Sequence, residues 1–349
     1  MLRFGLIGCG THARWAVGPA FRHCQSVRLA AVADISEQSL AAFEWPEPGL
    51  PRYHDFREML AREKLDAVYV CTPCEAHLEP ALAAFAAGLH VVIEKPVAPS
   101  PADCQRLLDA ARAAGRELAV DFENRYHPAF RLIQECVCAG RLGRVHAVHM
   151  NEMWDGHKVF GPLAERRHRF TDTSGCLDCG IHHLDLARYF CGGGAWQEIH
   201  ATGAWFGEQV RFPPHIAIQA RLDLGVVVTL NASFAYTAYI QPCDLHDTIV
   251  LVGTDGVIDF RRGGGVGKDI VRIISASLTE TREFPSEGHD AVIPQLLDEF
   301  AAVVTGGAPR PPTLATGEDG LMAQVIVDEA NRQSVQRGDV CQPASAPTR

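Results

Sequence analysis

The chain reads as two domains of different class: an α/β domain with a doubly wound parallel sheet, then an α+β domain with a large, mostly antiparallel open sheet. Three observations predict this. Short, near-continuous apolar runs alternate with helix-period patterns as far as about Asp121, the texture of strands buried on both faces. After Arg125 the runs lengthen and partly alternate apolar with polar, joined by turn signals. The length, 349 residues, provides for two cores. The expected division is 1–122 and 123–349.

In the first part the predicted strands are Leu2–Ile7, Val27–Ala33, Ala67–Cys71, His90–Glu94 and Glu117–Val120, rich in Val, Leu and Ile and bounded by Gly, Pro or Asp. Trp15–Cys24, Phe56–Arg62, Leu78–Ala87 and Pro101–Ala114 carry apolar residues at helical spacing. Leu78, Leu82 and Phe85 form one such stripe, which Gly88 ends. In the second part Val145–Trp154, Glu198–Phe206, His215–Leu224, Val226–Phe234, Asp247–Gly253 and Val257–Phe260 are predicted strands. Asp223-Leu-Gly225 and Thr254-Asp-Gly256 supply turns, and helices return at Asp290–Val304 and Glu318–Gln336. The tail from Pro343 is small, polar and expected to fray.

Charge narrows the function classes. Lys and Arg number 32 against 42 Asp and Glu, a net charge of −10, so a protein that tracks nucleic-acid phosphates is not expected. No run approaches the apolar length of a membrane span, and Met1–Gly8 reads as a strand entering a glycine turn, not as a signal segment. The expected setting is the cytoplasm, with the twelve cysteines as free thiols in a chain too long to need a disulfide framework.

Gly8-Cys9-Gly10-Thr11-His12-Ala13 follows the first strand and opens the first helix, in the form G-x-G-x-x-A. Gly8 permits a tight turn, Gly10 lets backbone approach a pyrophosphate, and Ala13 is small enough for the helix to pack on the sheet. The helix amides then face the phosphates. Asp34 ends the second strand, 24 residues beyond Gly10, where a carboxylate accepts hydrogen bonds from ribose hydroxyls and repels a 2′-phosphate. This is a Rossmann dinucleotide fingerprint. Ile35, Ser36 and Glu37 offer no cation to a 2′-phosphate, so NAD is expected in preference to NADP, with Arg14 the one nearby cation weighing the other way.

Two further motifs carry chemistry. Glu94-Lys95-Pro96 ends the predicted strand His90–Glu94, at the carboxyl edge where open α/β sheets bind ligands. In Gly175-Cys-Leu-Asp178-Cys-Gly180-Ile-His182-His183-Leu-Asp185, a helix puts Asp178, His182 and Asp185 on one face, with Tyr189 continuing the stripe. A carboxylate one turn from a histidine fixes its tautomer and supports the imidazolium, as a general base near neutral pH requires. With Gly8–Ala13, Thr72-Pro73 and His77, Gly88-Leu-His90, Asn124-Arg125 with Pro128, and Pro311-Pro-Thr313 before Glu318-Asp-Gly320, these motifs resemble the glucose–fructose oxidoreductase / inositol dehydrogenase (Gfo/Idh/MocA) family along nearly the whole chain. The chain departs from the family where Ser174-Gly175-Cys176 replaces a run of glycines and Ala13 stands for a common glycine.

The resemblance implies a catalytic group of Lys95, Asp178 and His182, with Thr72, Pro73 and Asn124 near the cofactor. His182 would take a proton from a secondary alcohol, Asp178 orient His182, and Lys95 stabilise the developing oxyanion, while the nicotinamide accepts the hydride. The expected substrate is a sugar, cyclitol or related polyol, with Tyr126, His127, Trp154, Asp155 and His157 as candidate readers, and a homodimer or homotetramer is implied by analogy. Two other readings stay open: a redox-neutral lyase or glycosidase that retains NAD, and a ligand-sensing regulator without chemistry. Cys71-Thr-Pro-Cys74 and Cys176-Leu-Asp-Cys179 have zinc-ligand spacing, but metal there would sequester the Asp–His motif, so no metal is expected. Gly263–Lys268 imitates a phosphate loop yet lacks its first glycine and its Ser/Thr, and reads as a hairpin loop; Arg166–Arg169 reads as a solvated loop. Cys9, Cys71, Cys74, Cys176 and Cys179 fall beside the expected site, which predicts inhibition by thiol reagents.

Overall fold

The computed structural model describes residues 1–45, 49–153, 174–205, 211–233, 247–263, 267–285 and 288–337. The chain forms two compact units, Met1–His127 with Glu287–Gln324, and Pro128–Ser286 with Val325–Arg349.

In the first unit β1 (Leu2–Ile7), β2 (Val27–Ala33), β3 (Arg52–Tyr53), β4 (Ala67–Val70), β5 (His90–Glu94) and β6 (Leu118–Asp121) form one sheet in the order β3-β2-β1-β4-β5-β6. Every pairing is parallel, and the order reverses between β1 and β4, as in a doubly wound sheet. The crossover helices start and stop where local chemistry dictates. For Pro101–Ala114, Ser100 accepts from Asp103 N at 3.1 Å, proline takes the first turn, and Gly115 at φ 60° ends the helix in the left-handed region. The helix His289–Val304 joins this unit because Leu296, Leu297 and Phe300 complete its core. The Phe300 ring lies 5.9 Å from that of Phe4, which in turn is 5.5 Å from Phe21.

The second unit is built on β7 (Val145–Met153), β8 (Trp196–Ala204), β9 (His215–Leu222), β10 (Val227–Ser233), β11 (Asp247–Gly253), β12 (Gly256–Arg261), β13 (Asp269–Ser275) and β14 (Thr279–Phe284). Their order is β14-β13-β12-β11-β7-β10-β9-β8, with only β7 and β10 parallel, so the mostly antiparallel open sheet is present as predicted. Alternate residues such as Ile216, Ile218, Ala220 and Leu222 are buried, and helices Pro128–Cys138 and Gly175–Cys191 pack with that face through Phe130, Phe190 and Phe260. The opposite face carries side-chain hydrogen bonds, His149 with Thr229 at 2.9 Å and Asn151 with Thr248 at 3.0 Å.

Helix Pro128–Cys138 and strands β13 and β14 were not expected from the sequence. The helix buries Ala129, Phe130, Ile133 and Cys136 at helical spacing behind a proline that masks its start. Strand β14, Thr-Glu-Thr-Arg-Glu-Phe, is an edge whose residues are nearly all solvated, so it has no apolar alternation to betray it. Gly263 and Gly267-Lys268 lie between the antiparallel β12 and β13, in agreement with a hairpin loop. Among the described residues no helix is long and apolar enough to cross a membrane.

Candidate active site

The glycine turn has the geometry its sequence requires. Gly8 adopts φ 99°, and a Cβ there would stand 2.5 Å from the Cys71 carbonyl oxygen, so only glycine fits between β1 and β4. A Cβ on Gly10 would meet nothing within 4 Å, which leaves its backbone open to an incoming group. Residues 11–21 are helical, widening to a π turn at Ala13–Val17, and Ala13 is fully buried against the sheet. Thr11 is exposed and His12 half-buried in the first turn, where amides lack intrahelical acceptors. At the end of β2 the Asp34 carboxylate is fixed by Cys9 N, donating to Oδ2 at 2.7 Å, and Ser36 N, donating to Oδ1 at 2.8 Å. Its remaining lone pairs are those a ribose diol would use.

His77 ties two loops at this edge together. Its Nε2 lies 2.8 Å from Thr72 O and its Nδ1 2.9 Å from Pro96 O, across from the Thr72-Pro73 turn to the cis Lys95–Pro96 peptide. Burial lowers the His77 pKa more than these carbonyls raise it. The Thr72 hydroxyl oxygen is buried with no hydrogen-bond partner among the described residues. An open Gly10, a pinned Asp34 and an unpartnered Thr72 hydroxyl together fit a dinucleotide.

Beyond the ends of β4, β5 and β6 lies a cluster the sequence did not reveal. Glu94, Asp121 and Glu123 are 7%, 1% and 7% exposed. Tyr69 donates its hydroxyl to Glu94 Oε1 at 2.8 Å and is also hydrogen-bonded to Asp121 Oδ2. His12 Nε2 meets Glu94 Oε1 at 3.0 Å, and His289 Nδ1 lies 3.4 Å from Glu123 Oε1. The rings of His12, Trp15 and His289 contact one another edge-on, at 4.8–5.6 Å. Burial alone would raise the Glu94 pKa, but His12, Lys95 and the Tyr69 hydroxyl hold it down to about 2. Burial also works against a charged His12, and the Glu94 carboxylate more than offsets it, so the imidazolium is favoured. Burial and then the charges of Glu94 and Glu123 push Asp121 well above the carboxylate range. Burial and Glu94 push Glu123 up to about 7, against the pull of Lys95 and His12. The group is therefore one ionised acid, one neutral acid and one poised near neutrality. The sequence motif drew attention to Glu94 and Lys95; the meaning of Asp121 and Glu123 depends on burial, which no local pattern shows.

Asn124 is half-buried in the turn after β6. Tyr126, expected to read substrate, is 1% exposed and donates to Glu299 Oε2 at 2.8 Å, inside the first unit; His127 is 3% exposed. Trp154, Asp155, His157 and Arg166–Arg169 lie outside the described residues, as does the side chain of Asp178.

In the second unit the predicted Asp–His segment is helical over Gly175–Cys191, and His182 is 8% exposed. A Cβ on Gly180 would stand 3.3 Å from both Glu152 Oε2 and Leu230 Cδ2, so glycine lets the helix lie close on β7 and β10. Next to His182, His183 Nε2 meets Asp247 Oδ1 at 2.8 Å and its Nδ1 lies 3.6 Å from Glu152 Oε2; Arg262 Nε is 2.9 Å from Asp247 Oδ2. Burial lowers the His183 pKa, the two carboxylates override it, and the ring is held protonated; Asp247 is held at about 2 against its own burial.

Two of the five cysteines expected beside the site are buried thiols. Burial and the Asp34 charge push Cys9 up to about 12, and burial with Glu94 and Asp121 holds Cys71 well above the ordinary thiol range, so neither of these two offers a thiolate at neutral pH. Among the described residues no group of three or more His, Cys, Asp or Glu is placed to hold a metal ion.

Residues 2–122 match the family described as "Oxidoreductase family, NAD-binding Rossmann fold", and residues 130–259 match the GFO/IDH/MocA C-terminal domain. The chain is 32% identical over 338 residues to the 1,5-anhydro-D-fructose reductase of Ensifer adhaerens, covering 92% of each. This chain belongs to the Gfo/Idh/MocA oxidoreductase family. Another family member, an inositol 2-dehydrogenase of Gluconacetobacter diazotrophicus, is 32% identical over 256 residues, 67% of this chain and 69% of that one. Among solved structures, an oxidoreductase from Agrobacterium radiobacter in complex with NAD+, L-tartaric acid and magnesium superposes with a TM-score of 0.81 at 18% identity, covering 95% and 96% of the two chains. At that identity the likeness is one of fold.

Proposed function

We propose that this oxidoreductase moves a hydride between NAD and a secondary alcohol or ketone of a sugar, cyclitol or related polyol. The observation that carries the reading is the joint retention of the Gly8 turn with Asp34, the Glu94-Lys95-Pro96 strand end, and a helix bearing Asp178 and His182. The first unit holds the cofactor, Gly8, Gly10 and Thr11 at the pyrophosphate and Asp34 at the adenosine ribose. The second selects substrate. When bound, NAD supplies the hydride acceptor. Lys95 donates to the reacting oxygen, His182 accepts the hydroxyl proton, and Asp178 holds the imidazole in the accepting tautomer. A non-catalytic sensor needs no such proton relay.

Lys95→Ala and His182→Ala should each bind NAD normally and lose about 10²–10⁴-fold in turnover. A panel of sugars, cyclitols and sugar acids with NAD and NADP, followed by absorbance of the reduced cofactor, tests both substrate and roles. Near-normal turnover in either variant removes the assignment, and conversion without net NADH points to the redox-neutral chemistry. The fold's open sheet face, with half-buried Val250, Val252 and Val257 beside the His149–Thr229 pair, supports a homodimer or homotetramer, which sedimentation would test. A cytoplasmic setting agrees with the free thiols of the described cysteines.

A further inference from the structure

The carboxyl cluster beyond β4–β6 does more than pack. A doubly wound sheet has two mononucleotide-binding halves, and Asp34 on β2 marks the adenosine half. The other half, over β4, β5 and β6, is where Glu94, Lys95, Asp121 and Glu123 stand, and it is the half that receives the nicotinamide. We infer that Glu123 is a proton-exchanging group of the cofactor face: it releases its proton to solvent when the cationic nicotinamide of NAD+ binds, and keeps it when the neutral ring of NADH binds. The inference rests on the reading of this edge as the cofactor face.

The geometry singles out Glu123 among three buried acids. Glu94 already holds its charge, fixed by His12 at 3.0 Å and by the Tyr69 hydroxyl at 2.8 Å. Asp121 is crowded between Tyr69 and two carboxyls, and its Oδ1 is buried without a hydrogen-bond partner among the described residues, so a second charge there has no support. Glu123 is faced by Glu94 from β5, Lys95 just beyond it, Asp121 from β6, His12 from the glycine-turn helix and His289 from His289–Val304 at 3.4 Å. It sits near pH 7 because these influences nearly balance around its burial. One added positive charge in a desolvated site favours the carboxylate, and removing that charge by reduction favours the acid.

The test is calorimetric binding of NAD+ and of NADH to the wild-type protein in phosphate and in Tris. At pH 7 the NAD+ heat should depend on the buffer in proportion to roughly half a proton released, falling to none by pH 9, while NADH releases essentially none. The Kd for NAD+ should tighten by up to about tenfold per pH unit between pH 5.5 and 7 and then level off. Glu123→Gln should abolish the release and flatten that pH dependence while still binding NADH. Buffer-independent NAD+ binding in the wild type, or equal release with both dinucleotides, overturns the inference without any variant. Release that persists in Glu123→Gln assigns the proton to His12 and overturns it too. Failure of either dinucleotide to bind overturns instead the cofactor-face reading beneath it.

Discussion

At the scale of single residues, the cofactor turn is built on two demands of opposite kind. Gly8 is required by what a side chain would strike, whereas Asp34 is required by what its carboxylate accepts. Asp34→Ala therefore removes a ribose acceptor and two amide anchors together, and at about 1.5–3 kcal/mol for a charged hydrogen bond should weaken NAD by roughly tenfold or more. NADP, no longer facing a carboxylate, should lose little, so the NAD-over-NADP ratio of Kd values collapses. An unchanged ratio in Asp34→Ala would remove Asp34 from cofactor selection. Cys9 shows the limit of reading residues by position alone. It lies within the turn, yet with its thiol fully buried and pushed to about 12 it should react with maleimide at neutral pH far more slowly than the exposed Cys138, a difference mass spectrometry of timed labelling resolves.

At the scale of elements, the helix Gly175–Cys191 is held on its sheet by charge as well as by apolar contact. His183 lies between Asp247 and Glu152, with Arg262 on the far oxygen of Asp247, so two cations meet two carboxylates in a buried site. Removing the histidine takes a cation from between two buried carboxylates, and His183→Ala should cost about 3–5 kcal/mol in denaturant unfolding. If it costs under 1 kcal/mol, the cluster is not what seats the helix. The sequence disclosed the helix and its Asp178–His182 stripe because helical spacing is local. It gave no sign of the partners of His183, since Glu152 and Asp247 come from other strands. The same distinction explains the rest. Strands Leu2–Ile7, Val27–Ala33, His90–Glu94 and Asp247–Gly253 were legible as apolar runs between turn residues, whereas β14 was hidden by its solvated side chains and Glu123 by the absence of any pattern for burial.

At the scale of the molecule, the buried ionisable groups divide by direction: the lowered His77 adds stability as pH rises toward 6.5, whereas the raised groups lose it as pH climbs further. Glu94 and Asp247 are held at about 2, so what they contribute is present above the ordinary carboxylate range and is lost only as pH falls toward 2. His12 and His183 are raised, so their contribution is complete below pH 6.5 and is lost as pH climbs through their folded values. Glu123 is raised from 4.5 to about 7, so the folded state binds more protons than the unfolded one across that interval and stability falls as pH rises through it. A net charge of −10 adds self-repulsion on the alkaline side. Thermal unfolding without cofactor should therefore show its highest Tm on the acid side of neutrality, roughly pH 5–6.5, and decline by pH 8.5. Glu123→Gln separates the strands of this argument: it should unfold at higher temperature than the wild type above pH 7, by an amount on the order of 2–3 kcal/mol, and converge with it below pH 4.5. Parallel curves over that whole range would mean that Glu123 ionises in the folded chain as freely as in the unfolded one, and the proton it is assigned on NAD+ binding would have to come from elsewhere.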